Sequence, residues 1–352
     1  MSSIDLSGNE SIKYKIIKKL GAGSYGVVYK AYNKILQEDC ALKIIPTPYP
    51  EKLASCYKEA EIPNKCRHPN IVAIKTADPI VISNGEKNIR ALAIEMELLN
   101  GGSIEDLIRQ RFVPITESVT YAVSILSGLE YAHINDVIHC DIKPGNVLLD
   151  KNGSPKISDF GLSFIVSQPV EDENINFYIS HAAPELKVQN IRPNILTDIY
   201  AFGVTFFRMV NNISDWKSFR SNSSYKSAIE NGEFGRRHLY QPYVPRKIIR
   251  IISKACNAEP QKRYQTASEM RNALNKLNLC HNWHPVVCDE SQWQAEDSSS
   301  IYSVELQQIG SGHFAFQYKK NGRRVNSFCR DFDSLDKSVS YLYEFIAENS
   351  VS

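Results

Sequence analysis

Between Tyr14 and about Leu99 the chain alternates short runs rich in β-branched and aromatic residues with turn-forming segments. The runs are "YKIIKKLG", "GVVYKAYN", "CALKII", "NIVAIKTAD" and "IRALAIEMELL", each of strand length. One segment among them, "EKLASCYKEAEIPNKC", has helical spacing instead. From Ser103 to about Leu279 the apolar period lengthens to that of a helix. In "TESVTYAVSILSGLEYAHIND" the residues Val119, Ala122, Val123, Leu126, Leu129 and Ala132 or His133 line one face. The pattern predicts an α+β chain in which a small β-rich half is followed by a larger helical half.

Beyond Leu279 the character changes again. The polar stretch "DESQWQAEDSSS", Asp289 to Ser300, has the composition of a flexible connection. Alternation in "IYSVELQQ", "HFAFQYKK" and "RRVNSFCRDF" predicts three strands, and Asn321-Gly322 is a strong hairpin signal. A final helix is expected over "DSLDKSVSYLYEFIAE", with Leu335, Val339, Leu342 and Ile346 on one stripe and Asp333 or Ser334 as N-cap. The expected organisation is a tail at 1–13, a main domain at 14–279, a linker at 280–300 and a small β-β-β-α domain at 301–352. No internal period signals a solenoid.

Composition narrows the class more than the function. A chain of 352 residues with 43% hydrophobic and 23% charged residues is an ordinary globular protein with room for two or three domains. Its net charge of +2 argues for no bulk nucleic-acid binding and forbids no local basic patch. The opening "MSSIDLSGNESIKYK" lacks a signal-peptide core, and no run approaches the roughly 18 apolar residues of a membrane span. A cytoplasmic location is therefore expected, with no membrane partner. The eight scattered cysteines then read as reduced thiols.

Chemistry concentrates in a few places. "GAGSYGVV", Gly21 to Val28, sits between two strand-like runs, where glycines let backbone amides approach a polyphosphate. A plain glycine-rich hairpin would read the same way. Lys43 lies in an apolar strand about 17 residues after these glycines, and either snorkels or awaits a carboxylate and a phosphate. Glu59 and Glu61 on the helical segment are candidates for that carboxylate. In "VIHCDIKPGNVLLD" the residues Asp141, Lys143 and Asn146 crowd into one loop. Asp141 suits proton acceptance from a hydroxyl, Lys143 charge neutralisation on a phosphoryl group, and Asn146 a metal ion. Asp159 in "SDFG" adds a second hard-oxygen ligand suited to magnesium.

These elements, in this order, resemble the protein kinase family. The glycine loop, Lys43, "HCDIKPGN" and "DFG" match its motifs, followed by Ala183-Pro184-Glu185, by Asp198 in "TDIYAFG", and by Arg263 as the partner of Glu185. The resemblance covers about Tyr14 to Leu279 and implies a two-lobed kinase-like fold. It implies ATP and Mg2+ as cofactors and protein substrates as partners. By this resemblance Asp141 is the base, assisted by Lys143, while Asn146 and Asp159 hold magnesium. The implied nucleotide-binding set is Gly21, Ala22, Gly23, Ser24, Tyr25, Gly26, Val28, Ala41, Lys43, Glu59, Met96, Glu97 and Leu99. Within it Met96 lies at the back of an adenine pocket, and Lys43 pairs with Glu59. Lys143, two positions after the base, resembles serine/threonine kinases. The alternative for the whole chain is a nucleotide-binding pseudokinase scaffold whose C-terminal unit recognises a partner.

The match departs from the family at two places. Cys140 stands where many members carry an arginine that clamps an activation-segment phosphate, so activity without activation-segment phosphorylation is expected. The thiol reads as a small apolar filler rather than a reactive group. In "FYISHAAPE", Phe177 and Tyr178 replace a glycine-threonine pair, which bears on acceptor choice. In the tail, Cys280, His281, His284 and Cys288 lack the usual zinc spacing and read as a domain junction. Lys319, Lys320, Arg323 and Arg324 form a basic hairpin for which nucleic acid is one partner class, with protein recognition or autoregulation the preferred role of the domain.

Overall fold

The structure is a computed structural model that describes residues 6–23, 26–51, 67–83, 88–160, 164–165, 181–187, 191–222, 226, 228, 231–286 and 289–351. It divides into two compact units. One comprises Met1–Gly102, Gly128–His139 and Leu148–Ile175, and the other Ser103–Ser127, Cys140–Val147 and Asn176–Ser352.

The first unit opens with β1 (Tyr14–Gly23), β2 (Gly26–Asn33), β3 (Glu38–Pro46), β4 (Ile74–Ser83) and β5 (Asn88–Met96). They form an antiparallel sheet in the order β1-β2-β3-β5-β4. The period-2 pattern of β3 explains its two faces. Cys40, Leu42 and Ile44 enter one core with Tyr14, Ile16 and Tyr29. Ala41, Lys43 and Ile45 occupy the alternate positions, and Ile45 packs with Leu92, Ile94 and Met96 of β5. Glu95 is fully buried in this sheet, where Tyr14 Oη donates to it at 2.8 Å, Asn33 Nδ2 at 2.9 Å, and Lys13 Nζ lies 3.5 Å away. Those partners offset the several kcal/mol that burying a lone carboxylate costs. The helix expected over "EKLASCYKEAEIPNKC" lies outside the described residues.

The helical part begins with α1 (Ile104–Gln110), closed by a capping box between Ser103 and Asp106, and α2 (Ile115–Ile134). The stripe predicted on α2 is buried at Val119, Ala122, Leu126, Leu129, Ala132 and His133, while Val123 is half-buried. Short strands follow: β6 (Val137–Ile138), β7 (Val147–Leu149), β8 (Pro155–Ile157) and β9 (Phe164–Ile165), pairing as β6-β9 and β7-β8. Helix α3 (Ile195–Val210) is buried along nearly its whole length and capped by Asn194. It is followed by α4 (Trp216–Ser221), α5 (Arg246–Ala255) and α6 (Ala267–Asn275).

The remaining strands are β10 (His284–Val286), β11 (Asp289–Glu296), β12 (Ile301–Gly310), β13 (His313–Lys320), β14 (Arg323–Arg324) and β15 (Arg330–Phe332). The linker expected at 280–300 is thus corrected: it contributes β10 and β11 to a six-stranded sheet. Polar composition hid an alternation, Gln292-Trp293-Gln294-Ala295-Glu296, whose Trp293 and Ala295 are buried. The expected third strand splits into β14 and β15 around a 3-10 turn at Asn326–Phe328. Asn321 and Gly322 join β13 to β14 with φ of 50° and 75°, as a two-residue hairpin turn requires. Helix α7 (Leu335–Ser350) starts at the N-cap Ser334 and buries Leu342, Phe345 and Ile346. Leu335, expected on that face, is 52% exposed because the first turn lies outside the packed face.

Candidate active site

Four of the residues that the resemblance would assign to nucleotide binding lie on one face of the first sheet. The register sets Val28 opposite Lys43, Lys43 opposite Ile94, and Ala41 opposite Met96. Residues paired across antiparallel strands project to the same side, so Val28, Ala41, Lys43 and Met96 share it. At the end of β1, Gly21, Ala22 and Gly23 pair with Val28, Val27 and Gly26. At Gly26, φ is 155° and a Cβ would stand 2.6 Å from the Ile44 carbonyl, so the fold itself demands glycine. At Gly21 a Cβ would meet nothing within 4 Å. The fold makes no demand there, which suits a residue kept small for an approaching polyphosphate. Ser24, Tyr25 and Glu59 lie outside the described residues.

Lys43 is 5% exposed, and its ammonium pairs with the Asp159 carboxylate. Asp159 holds a left-handed backbone at φ 61°, a conformation that costs a non-glycine residue about 1–3 kcal/mol and clusters at functional sites. Beside it His139 is fully buried, 2.9 Å from the Ser158 carbonyl and with its ring 4.7 Å from Phe160. Beyond β5, the amide of Glu97 donates to the Ala73 carbonyl at 3.0 Å, and its carboxylate accepts from Ala73 N and from Lys156, each at 2.8 Å. Only the carbonyl of Glu97 can therefore serve an adenine edge. Leu99 is half-buried, and the chain after it is held to β7 by Gly101 N to Leu149 O at 3.1 Å.

The second unit carries the other cluster. Asp141 is 8% exposed, and its Oδ2 accepts from Lys143 Nζ at 2.7 Å and from Asn146 Nδ2 at 2.8 Å. Asn146 Nδ2 also lies 2.8 Å from the Asp141 carbonyl. These bonds fix the amide orientation, so Oδ1 is the Asn146 atom that suits a cation. That oxygen is a hard donor of the kind magnesium takes. Among the described residues no group of three or more His, Cys, Asp or Glu side chains is placed to hold a metal by itself.

Helix α3 supports the loop that carries Asp141. Asp198 accepts from Cys140 N at 2.9 Å, while Thr205 Oγ1 donates to the Ala201 carbonyl of its own helix at 2.9 Å and lies 3.4 Å from the Ile142 carbonyl. Cys140 is left-handed at φ 68°. Burial, then the Asp198 and Asp141 carboxylates, push its thiol far above the ordinary range, so it stays neutral. Glu185 and Arg263, far apart in the chain, form a bidentate pair at 2.7 Å on each arm. Phe177, Tyr178 and Ser180 lie outside the described residues.

Sequence reasoning passed over Arg208. This 3% exposed guanidinium on α3 bonds Glu105 on α1 at 2.8 Å and lies over the Trp216 ring at 5.2 Å. An arginine inside "YAFGVTFFRMV" was the available signal. In the C-terminal sheet, Lys319 bonds Glu305 at 2.8 Å, Lys320 lies over Tyr302 and Arg324 Nε donates to Cys329 Sγ at 3.3 Å, so three of the four basic hairpin residues are engaged internally. Cys280 and His281 pair their amides with the end of α7, and the His281 ring lies 4.2 Å from Tyr302; Cys288 lies outside the described residues. Among the described residues no helix is long and apolar enough to cross a membrane.

The family model "Protein kinase domain" matches residues 14–275. CBL-interacting serine/threonine-protein kinase 19 of Arabidopsis thaliana is 26% identical over 299 residues, 83% of this chain and 59% of that protein. CBL-interacting serine/threonine-protein kinase 12 of the same plant is 28% identical over 275 residues, 76% of this chain and 54% of that one. The chain spans a little over half the length of these curated relatives.

Proposed function

The chain belongs to the protein kinase family, and from that premise we propose that it transfers the γ-phosphoryl group of ATP to serine or threonine hydroxyls of protein substrates. The observation that carries this reading is the Asp141, Lys143 and Asn146 constellation. A buried carboxylate is bonded through Oδ2 to an ammonium and an amide, which fixes its orientation in the loop. Similarity to two serine/threonine kinases supports the acceptor type. We assign the domain to residues 14–279, followed by the small α/β unit. A cytoplasmic setting is in keeping with this reading.

Asp141 Oδ1 orients the incoming hydroxyl and takes its proton as the oxygen attacks the γ-phosphorus. The new O–P bond forms as the bond to the β,γ-bridging oxygen breaks, its electron pair leaving on ADP. Lys143 neutralises charge on the transferring oxygens, and Lys43 orients the α- and β-phosphates. Val28, Ala41, Met96 and Leu99 offer the apolar surface for adenine. Magnesium, when bound, would supply charge neutralisation at the phosphates, and Asn146 and Asp159 are the residues that would hold it.

We also propose that activity needs no phosphate on the segment after Asp159. The neutral Cys140 thiol supplies no cation to clamp one. One assay addresses both statements: incorporation of labelled γ-phosphate into a protein panel and into the chain itself, before and after phosphatase treatment. Incorporation should survive the phosphatase and fall by about 10³-fold or more in Asp141→Ala, on the scale of losing a general base and its positioning. Nucleotide binding with no Asp141-dependent transfer would favour the scaffold reading. Activity lost on dephosphorylation and restored by autophosphorylation would overturn the second statement alone.

A further inference from the structure

Beside the catalytic loop, wholly within the second unit, lies an open groove of about 700 Å³ walled by α1, α3, α4 and the turn at Lys143 to Gly145. Its charged lining is one-sided: Arg109, Lys143, Arg208, Lys217, Arg220 and Lys226 stand against Glu105 and Asp215. Both carboxylates are already committed. Glu105 is shared by Arg109 at 3.1 Å and Arg208 at 2.8 Å, so one negative charge serves two guanidiniums. Asp215 caps α4, accepting from Ser218 N at 2.9 Å. Counting also Asp141, which Lys143 bonds at 2.7 Å, the six cations stand against three carboxylates, and positive charge remains in excess for an incoming molecule.

The surplus is also well positioned. Arg208 is held between Glu105 and the Trp216 ring, which deprives it of the rotamer freedom that weakens exposed ion pairs. Lys143 ties the mouth of the groove to Asp141 at 2.7 Å. The buried His181, its ring 5.5 Å from Trp216, is held neutral by burial and then by Arg208, Lys143 and Arg220, whose charges converge on one locus.

We propose that this groove makes the enzyme selective for acidic protein substrates, taking aspartate and glutamate side chains that flank the acceptor hydroxyl. The proposal rests on the kinase reading and adds the substrate class. A concave wall of one sign raises the local concentration of an oppositely charged peptide by about tenfold or more, an effect that fades as salt shortens the screening length.

The test uses the full chain and three peptides with a single serine acceptor, its flanks filled with Glu, Ala or Lys. The Glu peptide should show a kcat/KM about tenfold above the Ala peptide and further above the Lys peptide, with the gap closing at high salt. Lys217→Glu combined with Arg220→Glu should invert the ranking of Glu and Lys peptides, with an unchanged melting temperature showing that the fold is retained. Equal or better use of the Ala or Lys peptide by the unmodified chain would overturn the proposal. So would a double variant that lowers all three rates alike, or a chain that modifies itself but no peptide. Absence of Asp141-dependent transfer to any peptide and to the chain itself would overturn the kinase reading, and the selectivity with it.

Discussion

Gly21 and Gly26 belong to one motif, yet they are glycine for different physical reasons. Gly26 is required by its own fold: φ of 155° and a Cβ only 2.6 Å from the Ile44 carbonyl leave alanine no space without moving β3. Gly26→Ala should therefore cost about 1–3 kcal/mol of stability, the range of an overpacked site. Gly21 has open space where a Cβ would stand. Gly21→Ala should leave stability within about 0.5 kcal/mol while raising the KM for ATP severalfold, because the methyl meets only the ligand. Urea unfolding and ATP kinetics on the two variants separate these roles; a Gly21→Ala protein with unchanged KM would remove that residue from the nucleotide site. Side-chain chemistry of this kind was legible in the sequence, since glycine, lysine, aspartate and asparagine each limit what a position can do. Arg208 was not legible, because its meaning lies in a partner 103 positions away, Glu105.

At the scale of elements, the catalytic loop is held in place from outside itself. Cys140 and Ile142 are tied to α3 through Asp198 and Thr205, and α3 is buried along nearly all of its length. The two ties differ in strength. The Asp198 bond is 2.9 Å long, charge-assisted, and supports a left-handed residue directly before Asp141; the Thr205 contact is 3.4 Å and neutral, and its one proton has a closer acceptor in the Ala201 carbonyl at 2.9 Å. Asp198→Ala should cost about 1–3 kcal/mol, the penalty for a buried amide left unsatisfied, and lower kcat more than it alters the KM for ATP. Thr205→Val should change each by less. Equal effects in unfolding and steady-state kinetics would mean that α3 supports the loop by packing alone. The stripe on α2 and the strands of the first sheet were readable because each buries a face with a regular period. Strand β11 was not, because a strand with one polar face in a polar neighbourhood leaves only Trp293 and Ala295 to mark its inner side.

The C-terminal sheet is no free appendage of the second unit. Trp293, 3% exposed on β11, lies 5.4 Å from Phe112 and 5.4 Å from Tyr243, aromatic residues that precede it by a long stretch of chain, and 6.2 Å from Tyr343 on α7. A second tie joins Thr116, near the start of α2, to Asn282, and Leu279 bridges Val351 across the chain end. One indole thus touches the helical core on one side and its own domain's helix on the other. An indole of this size dominates the energetics of such a junction, and its removal leaves a cavity beside the rings of Phe112 and Tyr243. Trp293→Ala should cost about 3–5 kcal/mol and lower the melting temperature of the second unit by about 10 °C. If the sheet and the helical core melt together, the calorimetric trace of the variant keeps a single transition for both, shifted down. A separate early transition for the sheet, with the rest of the trace unmoved, would show instead that the two fold independently and that the aromatic junction adds nothing to the helical core.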